Sequence, residues 1–452
     1  MRVCALVLLP ALLGAAGAPE LRLVTLDPAH FHAAQFYSGA LPGFSRDAWV
    51  YAPVGPDLAG YLTSVSQLSE RSPKPDHWRF HVYAGSDYLD RMLSEKPGNV
   101  LAISGRNQRA IEYIEAGLRA GMHVLADKPW IIAARDFDRL QAVLNEADRR
   151  GLIAFDCMSQ RFDIAYQLQR ELVNDRAIFG ELQTGTADQP PVRMASSHFL
   201  LKTFNGMVNR RPAWFFDIAR QGEALADVGT HVVDLAHWTL FRNQALDYSK
   251  DIRLLTARRW PTVLTLDQFR RVTGEPEFPA FVKSAVHDGK LDYYANNSLL
   301  YTARGIYIEL QVSWDYESPA GDKDSMLATY RGGLSEVAVR AEREQHFLPE
   351  VDVTPLRAVD RIRVKSALEA KLKRLGSAYP GLTVREEGQR LQVVIPPSLR
   401  VPDVQYFLLL AEEFAGFIRQ PGTLPTWEKP NMLAKYYVTT HGVELARATA
   451  RK

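Results

Sequence analysis

Lysine, histidine and aspartate are the side chains needed to take a proton from a hydroxyl group, and two stretches of this sequence supply them. The first, Leu225 to Trp238, reads Leu-Ala-Asp-Val-Gly-Thr-His-Val-Val-Asp-Leu-Ala-His-Trp. As a helix it sets Asp227, His231, Asp234 and Trp238 along one stripe, because residues three and four apart share a face. Val228, Val232 and Leu235 make a second, apolar stripe that can bury against a core. The second stretch, Ala126-Asp127-Lys128-Pro129-Trp130, ends a strand-like run on a lysine followed by proline, which restricts the lysine's backbone. A lone histidine on a helix is more often a buried group satisfied by its neighbours. The lysine on a distant element shifts the balance toward chemistry, and only a fold can bring the two together.

The elements that must position these residues come from a chain of 452 residues, 46% hydrophobic and 23% charged, long enough for two domains. A net charge of +2 gives no case for nucleic acid or an anionic membrane. After residue 20 no apolar run is long enough to cross a bilayer, so membrane insertion of the mature chain is not expected. At the N-terminus, Arg2, the apolar run Val3 to Leu13 and the small residues ending Ala16-Gly17-Ala18 read as an export signal over residues 1–18. A periplasmic protein is therefore expected. Cys4 would leave with the signal, and Cys157 alone cannot make an internal disulfide.

From Leu21 to Phe155, strand-like runs alternate with helical ones. Leu21–Leu26, Trp49–Ala52, His81–Tyr83, Gly98–Ser104, His123–Ala126 and Ile153–Phe155 read as strands. Ala33 onward, Asp87–Ser94, Gln108–Ala120 and Asp136–Arg150 read as helices. This alternation implies an α/β, doubly wound parallel sheet with ligands beyond the carboxyl ends of its strands. The loops at Asp27, Ser104, Asp127 and Met158 would share that edge. After about residue 160 the rhythm changes. A helix near Ile164–Asn174, a strand opening at Phe179–Leu182, a long loop and the Leu225 helix come first. Strands follow at Asn297–Ala303, Ile306–Trp314, Met326–Arg331, Ser335–Ala341 and Arg390–Ile395. Strands in succession imply a large, mostly antiparallel sheet, hence an α+β domain. Ala358–Leu375 reads as a solvated basic helix; Gln405–Arg419 and Asn431–Arg451 are helices expected to pack back on the first domain.

With these elements in order, the chain resembles the glucose–fructose oxidoreductase / inositol dehydrogenase / MocA (Gfo/Idh/MocA) family over nearly its whole length after the leader. Asp127-Lys128-Pro129 is similar to that family's Glu-Lys-Pro, and Asp227, His231 and Asp234 to its Asp-x-x-x-His-x-x-Asp helix. Gln160-Arg161-Phe162 and Phe179-Gly180-Glu181 follow the family too. Asp27 to His32, Val50 to Pro53, Lys202 to Gly206, Arg211 to Asp217 and Trp427 to Tyr436 look like a branch of exported oxidoreductases with their own C-terminal domain. The resemblance implies a Rossmann-type dinucleotide-binding domain over residues 19–157. It implies a substrate and oligomerisation domain with an open sheet over 158–452. One departure stands out. Where the family has Gly-x-Gly-x-x-Gly, this chain has Asp27-Pro-Ala-His-Phe-His32, without the glycines that let backbone approach a pyrophosphate. The following helix would still offer N–H groups, and His30 and His32 could donate hydrogen bonds.

The resemblance implies NAD as cofactor, with NADP not distinguished; Asp57 is the nearest, weak candidate for the adenine ribose. The cofactor would be held by His30, Phe31, His32, Ser104, Gly105, Asn107, Lys128 and Gln160. Lys128 would stand between nicotinamide ribose and substrate hydroxyl, and His231 would be the general base. Asp227 would hold a neighbouring hydroxyl or share the proton relay. His198, Lys202, Arg211, Trp214 and Asp217, placed in the long loop before the helix, mix rings with hydrogen-bonding groups, as a sugar requires. Phe215 and Phe216, and even Trp214, read equally well as core. The implied function is oxidation of a sugar or glycoside ring hydroxyl, reaching a 3-keto sugar in some relatives, with subunits paired through the open sheet face. The closest rival is a redox-neutral NAD-dependent glycosidase or epimerase. Others are a non-catalytic sugar-binding protein, or a metal-assisted hydrolase or lyase with Asp227, His231 and His198 as ligands. No resident metal is expected in the main reading.

Overall fold

The structure is a computed structural model that describes residues 20–71, 78–204 and 207–450. The leader expected over residues 1–18 lies outside the described residues. Strands β1 (Leu21–Leu26), β2 (Phe44–Ala52), β3 (Arg79–Ala84), β4 (Val100–Ile103), β5 (His123–Ala126) and β6 (Ala154–Asp156) form one sheet in the order β3-β2-β1-β4-β5-β6. All pairs are parallel. Helices α1 (His32–Gln35), α2 (Pro56–Arg71), α3 (Tyr88–Glu95), α4 (Ala110–Arg119) and α5 (Phe137–Arg150) connect the strands. β4, Val-Leu-Ala-Ile, is buried at every residue, as expected of a strand covered on both faces. The order reverses between β1 and β4, and the crevice beyond those two carboxyl ends is the ligand position of such sheets.

The helix expected from Ala33 onward is a single turn. Phe36 and Tyr37 drop into the core, and Ser38, Gly39 and Pro42 end the helical path. The amino-terminal helix site expected there is therefore not built.

The second sheet is formed by β7 (Val192–Phe204), β8 (Met207–Asn209), β9 (Ile252–Thr265), β10 (Val286–His287), β11 (Lys290–Ala303), β12 (Ile306–Glu317), β13 (Ser325–Arg331), β14 (Ser335–Ala341), β15 (Glu350–Pro355), β16 (Thr383–Glu387) and β17 (Arg390–Val394). Its order is β10-β11-β12-β7-β13-β14-β15-β17-β16, with β8 on β7 and β9 on β11. Among the described residues, β12 and β7 are the one pair of this sheet that runs parallel. The fold is thus a parallel doubly wound sheet followed by a large, mostly antiparallel one. Helices α6 (Ile164–Val173), α7 (Gly229–Leu240), α8 (Tyr248–Asp251), α9 (Leu266–Thr273), α10 (Arg361–Leu375), α11 (Asp403–Arg419) and α12 (Glu428–Thr449) complete the chain.

Three local expectations are corrected. His198 and Lys202 lie on β7, not in a loop; there polar Ser196, His198 and Lys202 interrupt the buried apolar positions Val192, Met194 and Leu200. Phe179–Leu182 does not open a strand: Leu182 makes an isolated bridge to Gly332, and the Phe179 and Glu181 carbonyls accept from the Leu334 and Gly333 N–H groups. The Leu225 helix begins only at Gly229, after a turn that carries Asp227, and is buried on every side except at half-buried Trp238. It therefore has no apolar stripe opposed to a polar one.

The C-terminal helices finish the first sheet's cores. Phe407, Leu410 and Phe414 of α11 pack with Leu21, Val50, Val100 and Phe155. Met432 and Tyr436 of α12 pack with Trp130 and Leu144 on the other face. No helix among the described residues is long and apolar enough to cross a membrane.

Candidate active site

β5 runs out at the sheet's carboxyl edge and delivers Asp127, Lys128 and Pro129, with a cis peptide between the last two. Lys128 is buried and reaches out of the first domain to Asp227, Nζ to Oδ1 2.6 Å. Gln221 Nε2 donates to the other carboxylate oxygen at 2.8 Å. Burial works against the Asp227 carboxylate, but the Lys128 ammonium and the Gln221 amide outweigh it and hold the carboxyl below its ordinary range. One helical turn on, His231 is buried. Burial first, then the positive charge of Lys128, depress its imidazole to about 3, so it is neutral at physiological pH.

Asp234 belongs elsewhere. Arg161 donates to both of its oxygens at 2.6 and 2.7 Å and donates also to Glu428 at 2.9 Å. Nearby, the Lys435 ammonium meets Asp156 at 2.6 Å, and Tyr436 Oη donates to Asp156 at 2.8 Å. This buried network ties β6, α7 and α12 together. The expected Asp/His/Asp stripe therefore divides: Asp227 and His231 face Lys128, and Asp234 is a structural tie.

At the same edge, Asp127 Oδ2 accepts from Ser104 Oγ at 2.8 Å and faces His32 Nδ1 at 2.8 Å and His30 Nδ1 at 3.4 Å. Burial opposes the Asp127 charge, and the two imidazoles overcome that opposition and hold it well below the carboxylate range. Burial and the neighbouring His32 lower His30 to about 4. Phe31, between them, is exposed. Gly105 serves packing: a Cβ there would lie 2.3 Å from the Asp27 carbonyl oxygen. Asn107 Nδ2 donates to the Gln221 carbonyl at 2.7 Å and so joins the two domains. Asp57 is taken by Arg106, which also binds Asp27 at 2.9 Å.

The expected substrate residues separate into two groups. His198 sits between Ser196 Oγ, 2.6 Å from Nε2, and Asp324, 2.9 Å from Nδ1. Lys202 also donates to Asp324. Burial lowers Lys202 and Arg211, while His198 and then Lys202 hold Asp324 low against its own burial. Arg211 lies between the rings of Phe215 and Trp314, 4.7 and 4.6 Å from their centroids. These groups share one polar cluster on the inner face of the second sheet. Trp214 instead turns toward the first domain, under Arg106 at 5.8 Å and 3.5 Å from Asp57. Asp217 folds back on its own turn, accepting from Ala219 N at 2.9 Å and pairing with Arg220 at 3.1 Å. Asp324, Gln221 and Trp314 escaped sequence reasoning because each sits outside any recognisable spacing. The polar turn 321–324 was the one available signal for Asp324. Among the described residues, the His, Cys, Asp and Glu groups that converge are His30, His32 and Asp127. The alternative ligand set of Asp227, His231 and His198 is not assembled.

The carboxyl edge holds two polar groups that fit a bound ligand. Gln160 Oε1 and Gln221 Oε1 are buried acceptors without a partner, as a ligand donating N–H or O–H groups would require. The turn after β1 has few free backbone donors: Pro28 has no N–H, His30 N donates to Ser104 O at 3.3 Å, and His32 N to His30 Nδ1 at 3.4 Å.

Residues 168–447 match the family model described as "Putative oxidoreductase C terminal domain". A structure described as a "putative oxidoreductase" from Parabacteroides merdae ATCC 43184 is 37% identical, with 95% of this chain and 98% of that one covered and a TM-score of 0.91. Levoglucosan dehydrogenase, in complex with NADH and levoglucosan, shares the fold at 14% identity, 95% and 97% coverage and a TM-score of 0.58. So does a "putative myo-inositol dehydrogenase" from Sinorhizobium meliloti 1021, at 14% identity, 95% and 98% coverage and a TM-score of 0.53. No curated protein matches the chain.

Proposed function

This chain belongs to the Gfo/Idh/MocA-type oxidoreductases, and from that premise we propose that it oxidises a ring hydroxyl of a sugar or glycoside to a ketone with NAD as hydride acceptor. The observation that carries the proposal is the buried Lys128–Asp227 pair, which spans the two domains beside a neutral imidazole. Nicotinamide, when bound, supplies the hydride acceptor. Lys128 and Gln160 would hold it. His231 takes the hydroxyl proton, as the neutral imidazole beside the Lys128–Asp227 pair. Lys128 steadies the developing alkoxide, and Asp227 holds the ammonium in place. One C–H pair leaves as hydride and one O–H proton goes to His231, which balances the alcohol-to-ketone step. His198, Lys202, Arg211 and Asp324 offer alternating donors and acceptors to further hydroxyls of the ring.

The leader at residues 1–18 extends the proposal to an exported enzyme. Such an enzyme would keep its nicotinamide tightly and recycle it, since free NAD is scarce outside the cytoplasm. The decisive experiment denatures the purified protein, with nothing added, and assays the released material for NAD(H) by absorbance and mass. Stoichiometric NAD(H) is expected. Its absence, together with no binding of added NAD or NADP, would sink the proposal and favour a sugar-binding protein.

A further inference from the structure

We propose that His30, His32 and Asp127 form a binding site for one divalent first-row transition-metal ion of the zinc type. The site lies at the switch point of the first sheet, where the glycine turn is missing.

The two Nδ1 atoms lie 3.4 and 2.8 Å from the same Asp127 oxygen, and all ligand atoms of the group fall within 4.8 Å of one another. Around a tetrahedral ion with bonds of about 2.0–2.1 Å, ligand atoms stand roughly 3.3 Å apart. Two sides of the triangle, at 3.4 and 2.8 Å, are therefore already within about 0.5 Å of that spacing. The ligands are already oriented. Ser104 Oγ holds Asp127 Oδ2 at 2.8 Å, and the Lys128 backbone N–H holds Oδ1 at 2.9 Å. The His32 ring lies 4.6 Å from Phe407 of α11 and 4.3 Å from the His30 ring. Outer partners of this kind set ring direction and ligand basicity at metal sites.

The hydrogen bonding in the turn also points to a cation. His30 Nδ1 lies 3.4 Å from the His32 N–H and 3.4 Å from Asp127 Oδ2, both long contacts, so its one lone pair is held by no short hydrogen bond and can turn to an ion beside that carboxylate oxygen. A positive ion between them satisfies both. Two imidazoles and one carboxylate select zinc, iron or cobalt over magnesium or calcium, which prefer all-oxygen sites. The side chains of His30 and His32 are 21% and 16% exposed, so the ion is reachable and keeps open positions for water or an anionic oxygen. In this chain a cation would thus occupy the place where amide N–H groups neutralise a phosphate elsewhere.

The test uses the full chain stripped with a chelator and dialysed, with no cofactor or substrate present. Its result is therefore independent of the hydride-transfer proposal. Zn2+ is titrated by calorimetry, and Co2+ by its visible ligand-field absorption. One equivalent per chain is expected, unaffected by millimolar Mg2+ and accompanied by a rise in Tm. The double variant His30→Ala/His32→Ala should bind at least 100-fold more weakly, with the Co2+ spectrum lost, while His198→Ala binds as the parent. Far-UV circular dichroism checks that each variant is folded. If the double variant does not fold, His30→Asn alone should weaken binding at least tenfold and alter the Co2+ spectrum. No stoichiometric binding, or full binding retained without these imidazoles, would overturn the site.

Discussion

Lys128 and Asp227 are each the other's counter-charge in a buried place, and that coupling decides how variants behave. Lys128→Met should lower kcat/KM by about 10^2–10^3-fold, as loss of a group that stabilises developing negative charge does. It should also destabilise the fold by about 3–5 kcal/mol, because Asp227 is left buried and unpaired. The double variant Lys128→Met/Asp227→Asn should recover most of the stability in urea unfolding but none of the turnover. Recovery of turnover would remove Lys128 from the chemistry. His231 makes a pH prediction. With its imidazole depressed to about 3, kcat/KM should stay flat from pH 7 to about 5, without the inflection near 6.5 of an ordinary histidine. His237, buried on α7 and hydrogen-bonded at Nε2 to Tyr301 Oη at 3.0 Å, has the corresponding effect on stability. Its folded value of about 4 lies below the unfolded 6.5, so the unfolded chain binds more protons between those values. Stability is then complete above about pH 6.5 and falls as pH drops toward 4, by about 3 kcal/mol for this group. A Tm-against-pH series should show that fall in the parent and a shallower one in His237→Gln.

α7 is held by charge as well as by packing. Arg161, in the turn after β6, grips Asp234 on α7 and Glu428 at the start of α12, so one guanidinium fixes the relative place of three elements. Arg161→Met should cost about 3–5 kcal/mol in chemical denaturation, since it strands two buried carboxylates. Arg161→Lys should recover little, because an ammonium cannot reproduce the bidentate fork. Charge also explains why the helix pattern misled. A helix buried all round needs no amphipathic stripe, and its polar residues are there to be paired. β7 was hidden for a related reason: Ser196, His198 and Lys202 face a polar cluster instead of a core, so the apolar alternation that marks a strand is missing.

Across the whole molecule, the first sheet's cores are finished by α11 and α12, from the far end of the chain. Residues 20–157 expressed alone should therefore expose the surface around Val50, Val100, Phe155 and Trp130. They should bind a hydrophobic dye and lack near-UV circular dichroism, whereas the full chain should not. A well-packed isolated fragment would contradict this account of the core. The same closure sets α11 beside the β1–α1 turn, where Phe407 meets His32.

The amino-acid order alone determined the alternation of strands and helices in the first half, the succession of strands in the second, and the residue types of the site. Those depend on local periodicity and on side-chain chemistry, which neighbours in sequence display. It also determined the absence of glycines at Asp27 to His32. Tertiary structure decided which carboxylate meets which cation: Asp227 goes to Lys128 and Asp234 to Arg161, although both lie on one predicted stripe. It placed Trp214 against Asp57 and Arg106, brought Asp324 to His198, and turned His30 and His32 onto Asp127. Pairings of this kind join residues far apart in the chain. Their energies depend on burial and distance, and neither exists until the two sheets and the C-terminal helices have packed.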